Sequence, residues 1–159
     1  MSSEHNITPV LDPSSLTPMM RQYHEAKERH PDCILLFRMG DFYEMFFDDA
    51  ERASSILDIA LTTRDRNKPD KIPMCGFPHH AASSYISRLL GAGERVAICD
   101  QVEDPKEAKG IVRREITKIL TPGLTDEPGT LRSEENHYLA AVSIVGRAIG
   151  IASFELSTG

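Results

Sequence analysis

Phe42 and Glu44 stand two residues apart inside Gly40-Asp41-Phe42-Tyr43-Glu44, with Met39 and Asp41 flanking the pair. In extended backbone that spacing turns both side chains to one side and Tyr43 to the other. One face thereby gains a ring and a carboxylate roughly 7 Å apart by strand rise, a span that one groove of a duplex takes in. The ring offers stacking and the carboxylate a directional hydrogen bond. The plainer reading makes Phe42 a core residue beside Tyr43, Phe46 and Phe47, and Glu44 a solvated acid at a strand end.

Other constellations are thinner. Cys75 and His79 are four apart, with His80 adjacent and Cys99 distant. Zinc ligands usually come as close pairs and Pro78 stiffens this short connection, so no metal site is expected. Two catalytic alternatives exist: Cys99 as a nucleophile near Asp100, or Asp41 and Glu44 as paired acids holding a metal for phosphodiester cleavage. No close ligand cluster accompanies those acids, and no catalytic residue is assigned. A third alternative is an interaction module whose exposed strand edge recruits a partner.

The net charge of −6 argues at first against a nucleic-acid partner. Its distribution softens that objection. Acid is concentrated before Leu61 and after Lys118, whereas the middle carries Arg64, Arg66, Lys68 and Lys71, then Lys106, Lys109, Arg113, Arg114 and Lys118. Of these, Arg66, Lys68, Lys71, Arg113 and Arg114 are candidate phosphate contacts, with solvated surface charge as the plain alternative.

The elements that must position these residues follow from periodicity and punctuation. Thr17-Pro18 is an N-cap and N1 pair, and the helix it opens carries Met20, Tyr23 and Lys27 before His30-Pro31 stops it. Cys33 to Phe37 is a buried strand running into Arg38-Met39-Gly40. Asp48 and Asp49 precede a helix with an apolar face of Ala50, Ala53, Ile56, Leu57, Ala60 and Leu61. Leu61 to Arg64 and Lys71 to Cys75 are short strands joined by a cationic loop over 65–70. His79 to Leu90 is a third helix with Ala82, Tyr85, Ile86, Leu89 and Leu90 inward, stopped by Gly91 and Gly93. Arg95 to Val102 and Glu115 to Leu120 are strands, and Thr121-Pro122-Gly123 breaks the second. Tyr138 to Val145 and Ala148 to Leu156 are two more strands about Gly146-Arg147.

A length of 159 residues suits one well-cored domain and a short piece of a second. The expected division is a loose arm over 1–16, a domain over 17–124, and the opening of a truncated second α/β domain over 125–159. The expected fold is α/β of the α+β type, a mixed sheet flanked by helices. With 40% hydrophobic and 26% charged residues and no apolar run of membrane-span length, a helical membrane protein is excluded. Met1 to Leu16 shows no secretory signal, so the expected compartment is the cytoplasm. Cys33, Cys75 and Cys99, odd in number and set among apolar residues, suit buried thiols better than disulfides.

The run Leu36-Phe37-Arg38-Met39-Gly40-Asp41-Phe42-Tyr43-Glu44-Met45-Phe46 carries a wider resemblance. It is preceded by Thr17-Pro18-Met19-Met20 and followed by Leu61-Thr62-Thr63-Arg64, Ile72-Pro73-Met74-Cys75-Gly76-Phe77-Pro78 and Val96-Ala97-Ile98-Cys99-Asp100-Gln101. In that order these blocks resemble the amino-terminal domain of MutS mismatch-repair proteins. The resemblance implies that Phe42 stacks on a mispaired or unpaired base from the minor groove and that Glu44 hydrogen-bonds it. Met39, Asp41, Arg64 and Met74 would line or support the contact. It further implies that 125–159 begins the family's connector domain. The implied partners are double-stranded DNA with mismatches or small insertion/deletion loops, a homodimer partner and MutL, with no membrane. No cofactor is expected in this chain. ATP and magnesium belong to the family's ATPase domain, whose Gly-rich loop with Gly-Lys-Ser/Thr is not found in this sequence.

Such a pair suits the task physically. Mismatches share no donor and acceptor pattern, but they share weakened pairing and stacking. An apolar wedge must unstack a base step at a cost of a few kcal/mol, which falls where the step is already weak. Phosphates repel a carboxylate and favour its protonated form, so Glu44 is a poor affinity device. Either it accepts from an N–H that correct pairing occupies, or it takes a proton and donates.

Overall fold

The computed structural model describes residues 16–64, 71–103, 108, 110–122 and 138–155. Helix α1 (Pro18–Arg29) starts where the Thr17 hydroxyl accepts the Met20 N–H at 3.3 Å and Pro18 takes the first turn. The chain continues through β1 (Cys33–Met39), β2 (Phe42–Phe46), α2 (Phe47–Leu57), β3 (Thr62–Arg64) and β4 (Ile72–Pro78). A 3-10 turn at His79–Ala81 leads into α3 (Ala82–Gly91), and β5 (Arg95–Gln101) and β6 (Arg114–Leu120) follow. Strands β7 (Tyr138–Val145) and β8 (Ala148–Glu155) come last. Among the described residues no helix is long and apolar enough to cross a membrane.

Six strands form one mixed sheet in the order β3-β4-β2-β1-β5-β6, parallel between β1 and β5 and antiparallel elsewhere. With three flanking helices this is the expected α+β architecture. Strand β1 lies inside the sheet, and its alternate residues feed two cores. Ile34 and Leu36 join Ala50, Ala53 and Leu57 of α2 and Ile86, Leu89 and Leu90 of α3. Cys33, Leu35 and Phe37 join Met19, Met20, Tyr23 and Ala26 of α1. Burial on both faces is why this strand reads as a continuous apolar run. Strands β7 and β8 pair antiparallel from Tyr138↔Glu155 to Val145↔Ala148, and β7 is exposed along its whole length.

Several boundaries differ from expectation. Helix α2 ends at Leu57, because Asp58 adopts a left-handed conformation (φ 51°) and its N–H turns back to the Ser54 carbonyl. Asp tolerates that conformation better than most residues, and no glycine flags the stop. Ala60 and Leu61 are therefore off the helix, and Leu61 is 49% exposed. Asp48 and Asp49 sit inside the first turn rather than ahead of it. The third helix opens with the 3-10 turn, and β4 runs past Cys75 to Pro78, which places Gly76 and Phe77 in the sheet. Residues 1–15 of the arm expected over 1–16, the loop over 65–70 and the boundary near 124 lie outside the described residues.

Candidate functional site

Strands β1 and β2 form a hairpin with the register Phe37↔Glu44, Arg38↔Tyr43 and Met39↔Phe42, closed by Gly40-Asp41. Gly40 has φ +57°, and a two-residue hairpin whose first turn residue is left-handed is where glycine belongs. The Asp41 carbonyl accepts the His79 N–H at 2.8 Å, which ties this turn to the 3-10 turn after β4. A depression of about 280 Å³ lined by Asp41, Phe42, Pro78, His79 and His80 lies beside it.

Along β2 the side chains alternate as the spacing predicts. Tyr43 and Met45 are buried in the α2 and α3 core, while Phe42, Glu44 and Phe46 share the face that carries α1. Phe46 is fully buried against Tyr23, the Glu44 side chain is 22% exposed, and Phe42 is 46% exposed. Burial thus fades along one strand as it leaves the cover of α1. Phe42 is not a core residue.

Glu44 is held in an unfinished environment. Its Oε2 is buried and has no hydrogen-bond partner among the described residues, and the Arg64 Nη1 stands 3.9 Å away, beyond hydrogen-bond distance. Burial pushes the carboxyl up from its ordinary range, against the opposing pull of the Arg64 and Arg114 charges. Gly76 on β4 pairs with Glu44, and a Cβ there would stand 2.7 Å from the Tyr43 carbonyl oxygen and 3.4 Å from the Glu44 Cγ. Only a residue with no side chain lets β4 lie this close to the site. An exposed ring and a desolvated acid short of a partner are chemically able to stack and to exchange one directed hydrogen bond.

The remaining expected residues divide. Met39 pairs with Phe42 across the hairpin and Met74 with Phe46, both partly buried on the α1-side core. Arg64 lies over the Phe46 ring with its Cζ at 5.7 Å. Asp41 is exposed in the turn, and Lys71 is exposed just before β4. Arg113 is exposed and paired with Glu115 at 3.6 Å. Lys71 precedes β4 and Arg113 precedes β6, four places apart in the strand order and roughly 20 Å by strand spacing, so they do not meet. Arg114 turns inward and donates to carbonyls of its own chain. Arg66, Lys68, Lys106 and Lys109 lie outside the described residues.

All three cysteines are free and buried. Burial raises the Cys75 thiol to about 11 and the Cys99 thiol to about 12, which keeps both protonated near neutrality. Cys99 faces the α1-side core, whereas the Asp100 carboxylate accepts the Tyr43 hydroxyl at 2.7 Å on the opposite face. Among the described residues no group of three His, Cys, Asp or Glu side chains is placed to hold a metal ion. Sequence reasoning passed over Gly76, although a glycine in a strand interior is itself a mark of close backbone approach.

Residues 17–128 match the family MutS domain I. The DNA mismatch repair protein MutS of Syntrophobacter fumaroxidans is 57% identical over 147 residues, covering 91% of this chain and 16% of its own length. That of Myxococcus xanthus is 55% identical over 146 residues, with coverages of 92% and 16%. That of Brevibacillus brevis is 54% identical over 143 residues, with coverages of 90% and 17%. The chain therefore spans 16–17% of the length of these relatives.

Proposed function

The chain belongs to the MutS family through its match to domain I, and from that membership we propose that it senses mispaired DNA in mismatch repair. Phe42 enters the minor groove and stacks at a mispaired or unpaired base, and Glu44 makes the one directed hydrogen bond. The observation that carries this reading is the pairing of a ring 46% exposed with a same-face carboxylate whose Oε2 has no hydrogen-bond partner among the described residues. A matched base step resists unstacking, whereas a mismatched one yields, and stacking worth about 1–3 kcal/mol per base offsets the cost.

Met39, Arg64 and Met74 frame the contact in this reading, and Asp41 sits at its entrance. The segment supplies recognition rather than catalysis. ATP and magnesium would act in the portion of the relatives' length that this chain does not span, as would the contacts to a second subunit and to MutL. The test is binding of the full-length protein to otherwise identical mismatched and matched duplexes. Phe42→Ala is expected to abolish the preference, and Glu44→Ala to weaken it while leaving or raising affinity for matched DNA. Full discrimination by Phe42→Ala would sink the assignment.

A further inference from the structure

The parallel register between β1 and β5 runs from Cys33↔Arg95 to Phe37↔Cys99, but β1 continues to Met39 with β2 as its registered partner. The last residues of β1, which form the root of the Phe42 hairpin, thus pass beyond the β5 ladder. Arg114 of β6 reaches into that position. Its Nε donates to the Arg38 carbonyl at 2.6 Å, its Nη1 to the Val112 carbonyl at 2.8 Å, and its Nη2 lies 3.5 Å from the Met39 Sδ. The guanidinium also lies over the Phe37 ring, with Cζ 5.0 Å from the centroid. A planar fork holds several acceptors in fixed directions while its face lies on a ring, a geometry that a compact ammonium does not reproduce.

A bulge aims this side chain. The β5–β6 register passes from Ile98↔Lys118 to Cys99↔Ile116, leaving Thr117 as an extra residue. On one side of it Leu120 packs into the α2 and α3 core, and on the other Ile116 packs on the α1 side. One inserted residue reverses the alternation, so Arg114 faces the hairpin root and not the opposite core. The Thr117 hydroxyl itself donates to the Asp100 Oδ2 at 2.8 Å, and the Asp100 Oδ1 accepts the Tyr43 hydroxyl. The hairpin is gripped on one face through Arg38 and Met39 and on the other through Tyr43.

We propose that Arg114 is a positioning residue for the Phe42 wedge, aimed by the Thr117 bulge, and not a phosphate contact. The inference rests on the mismatch-sensing reading above. A wedge discriminates only if the duplex yields before the wedge does, so the stiffness of its root is part of recognition.

The experiment compares mismatched and matched duplex binding by the full-length protein and its Arg114→Met, Arg114→Lys and Tyr43→Phe variants, with Phe42→Ala as reference. Both Arg114 variants are expected to lower the mismatch preference roughly tenfold, the scale of losing hydrogen bonds to a charged donor. Tyr43→Phe, which severs the opposite grip, is expected to lower it less and serves as the probe should an Arg114 variant fail to fold. Relaxation of a 13C-labelled Phe42 ring should report a looser ring in each variant. The Glu44 carboxyl should titrate at higher pH in Arg114→Met, where the charge is lost, and stay near its original position in Arg114→Lys. Equal loss on both duplexes would identify a phosphate contact and overturn the proposal, as would full preference in Arg114→Met or, should that variant not fold, in Tyr43→Phe. Either result with Phe42→Ala inactive leaves the mismatch-sensing reading intact, whereas retained preference in Phe42→Ala removes that reading itself.

Discussion

The two ends of one sheet face hold the same kinds of groups, an aromatic ring, a carboxylate and a cation, in opposite states. Under α1, Asp49 is 2% exposed and its oxygens are occupied: Lys27 Nζ donates to Oδ1 at 2.8 Å, and the Leu35 N–H and Tyr23 hydroxyl donate to Oδ2 at 3.0 and 3.3 Å. Lys27 also donates to the Cys33 carbonyl at 2.6 Å, and the single Tyr23 proton is shared between Asp49 and the Phe46 carbonyl, which lies 3.1 Å away. At the open end Glu44 keeps an oxygen without a hydrogen bond among the described residues, its cation stands off, and Phe42 faces solvent. A closed network joins elements and rigidifies them, while an open one stays available to something outside the chain.

Substitutions at the two ends should separate stability from selectivity. The largest effect is expected for Asp49→Ala, which strands Lys27 in a largely buried position. Breaking a buried pair costs about 3–5 kcal/mol, readable as a lower urea midpoint, with mismatch preference retained by the protein that stays folded. Phe42→Ala should do the reverse, removing about 1–3 kcal/mol of preference in duplex binding and moving stability by less than about 0.5 kcal/mol. Loss of stability with Phe42→Ala, or loss of selectivity with Asp49→Ala, would break the contrast.

Gly76→Ala probes the boundary between the two ends. Its Cβ would meet the Tyr43 carbonyl at 2.7 Å, and relieving that overlap costs about 1–3 kcal/mol and displaces β2 beneath Glu44. Both the thermal midpoint and the mismatch preference should fall. The smallest effect is expected for Glu44→Gln on stability alone. Because burial raises the Glu44 carboxyl above its unfolded value, the protonated acid favours the folded state. That contribution is complete below the unfolded pKa and is lost as pH rises through the folded one. Glu44→Gln should therefore raise the thermal midpoint slightly at neutral pH and lose that advantage under acid, and an unchanging difference across pH would contradict the burial argument.

Much of this was legible from residue order. The two-residue spacing gave the shared facing of Phe42 and Glu44 with Tyr43 opposite, the unbroken apolar run gave burial of β1, and Thr17-Pro18 marked a helix start. What escaped depends on partners distant in sequence or on single backbone angles. The end of α2 turns on Asp58 entering a left-handed conformation that no glycine announces. The inward aim of Arg114 depends on a bulge that reverses facing partway along β6, so local alternation points the wrong way. The want of a hydrogen-bond partner for Glu44 Oε2 among the described residues is a property of the finished assembly, since it requires knowing where Arg64 stops short.

The grip of Arg114 on Arg38 spans 76 positions of chain, whereas the hairpin carrying Phe42 closes over a turn of Gly40 and Asp41. Loop closure over the short turn is entropically cheap and over the long one is not, so the order of assembly follows from connectivity. During folding the projecting ring takes its outline first, and its mounting is tightened last. Time-resolved hydrogen exchange should accordingly protect amides of the β1–β2 ladder before those shared by β1 and β5, whose register joins residues as far apart as Cys33 and Arg95.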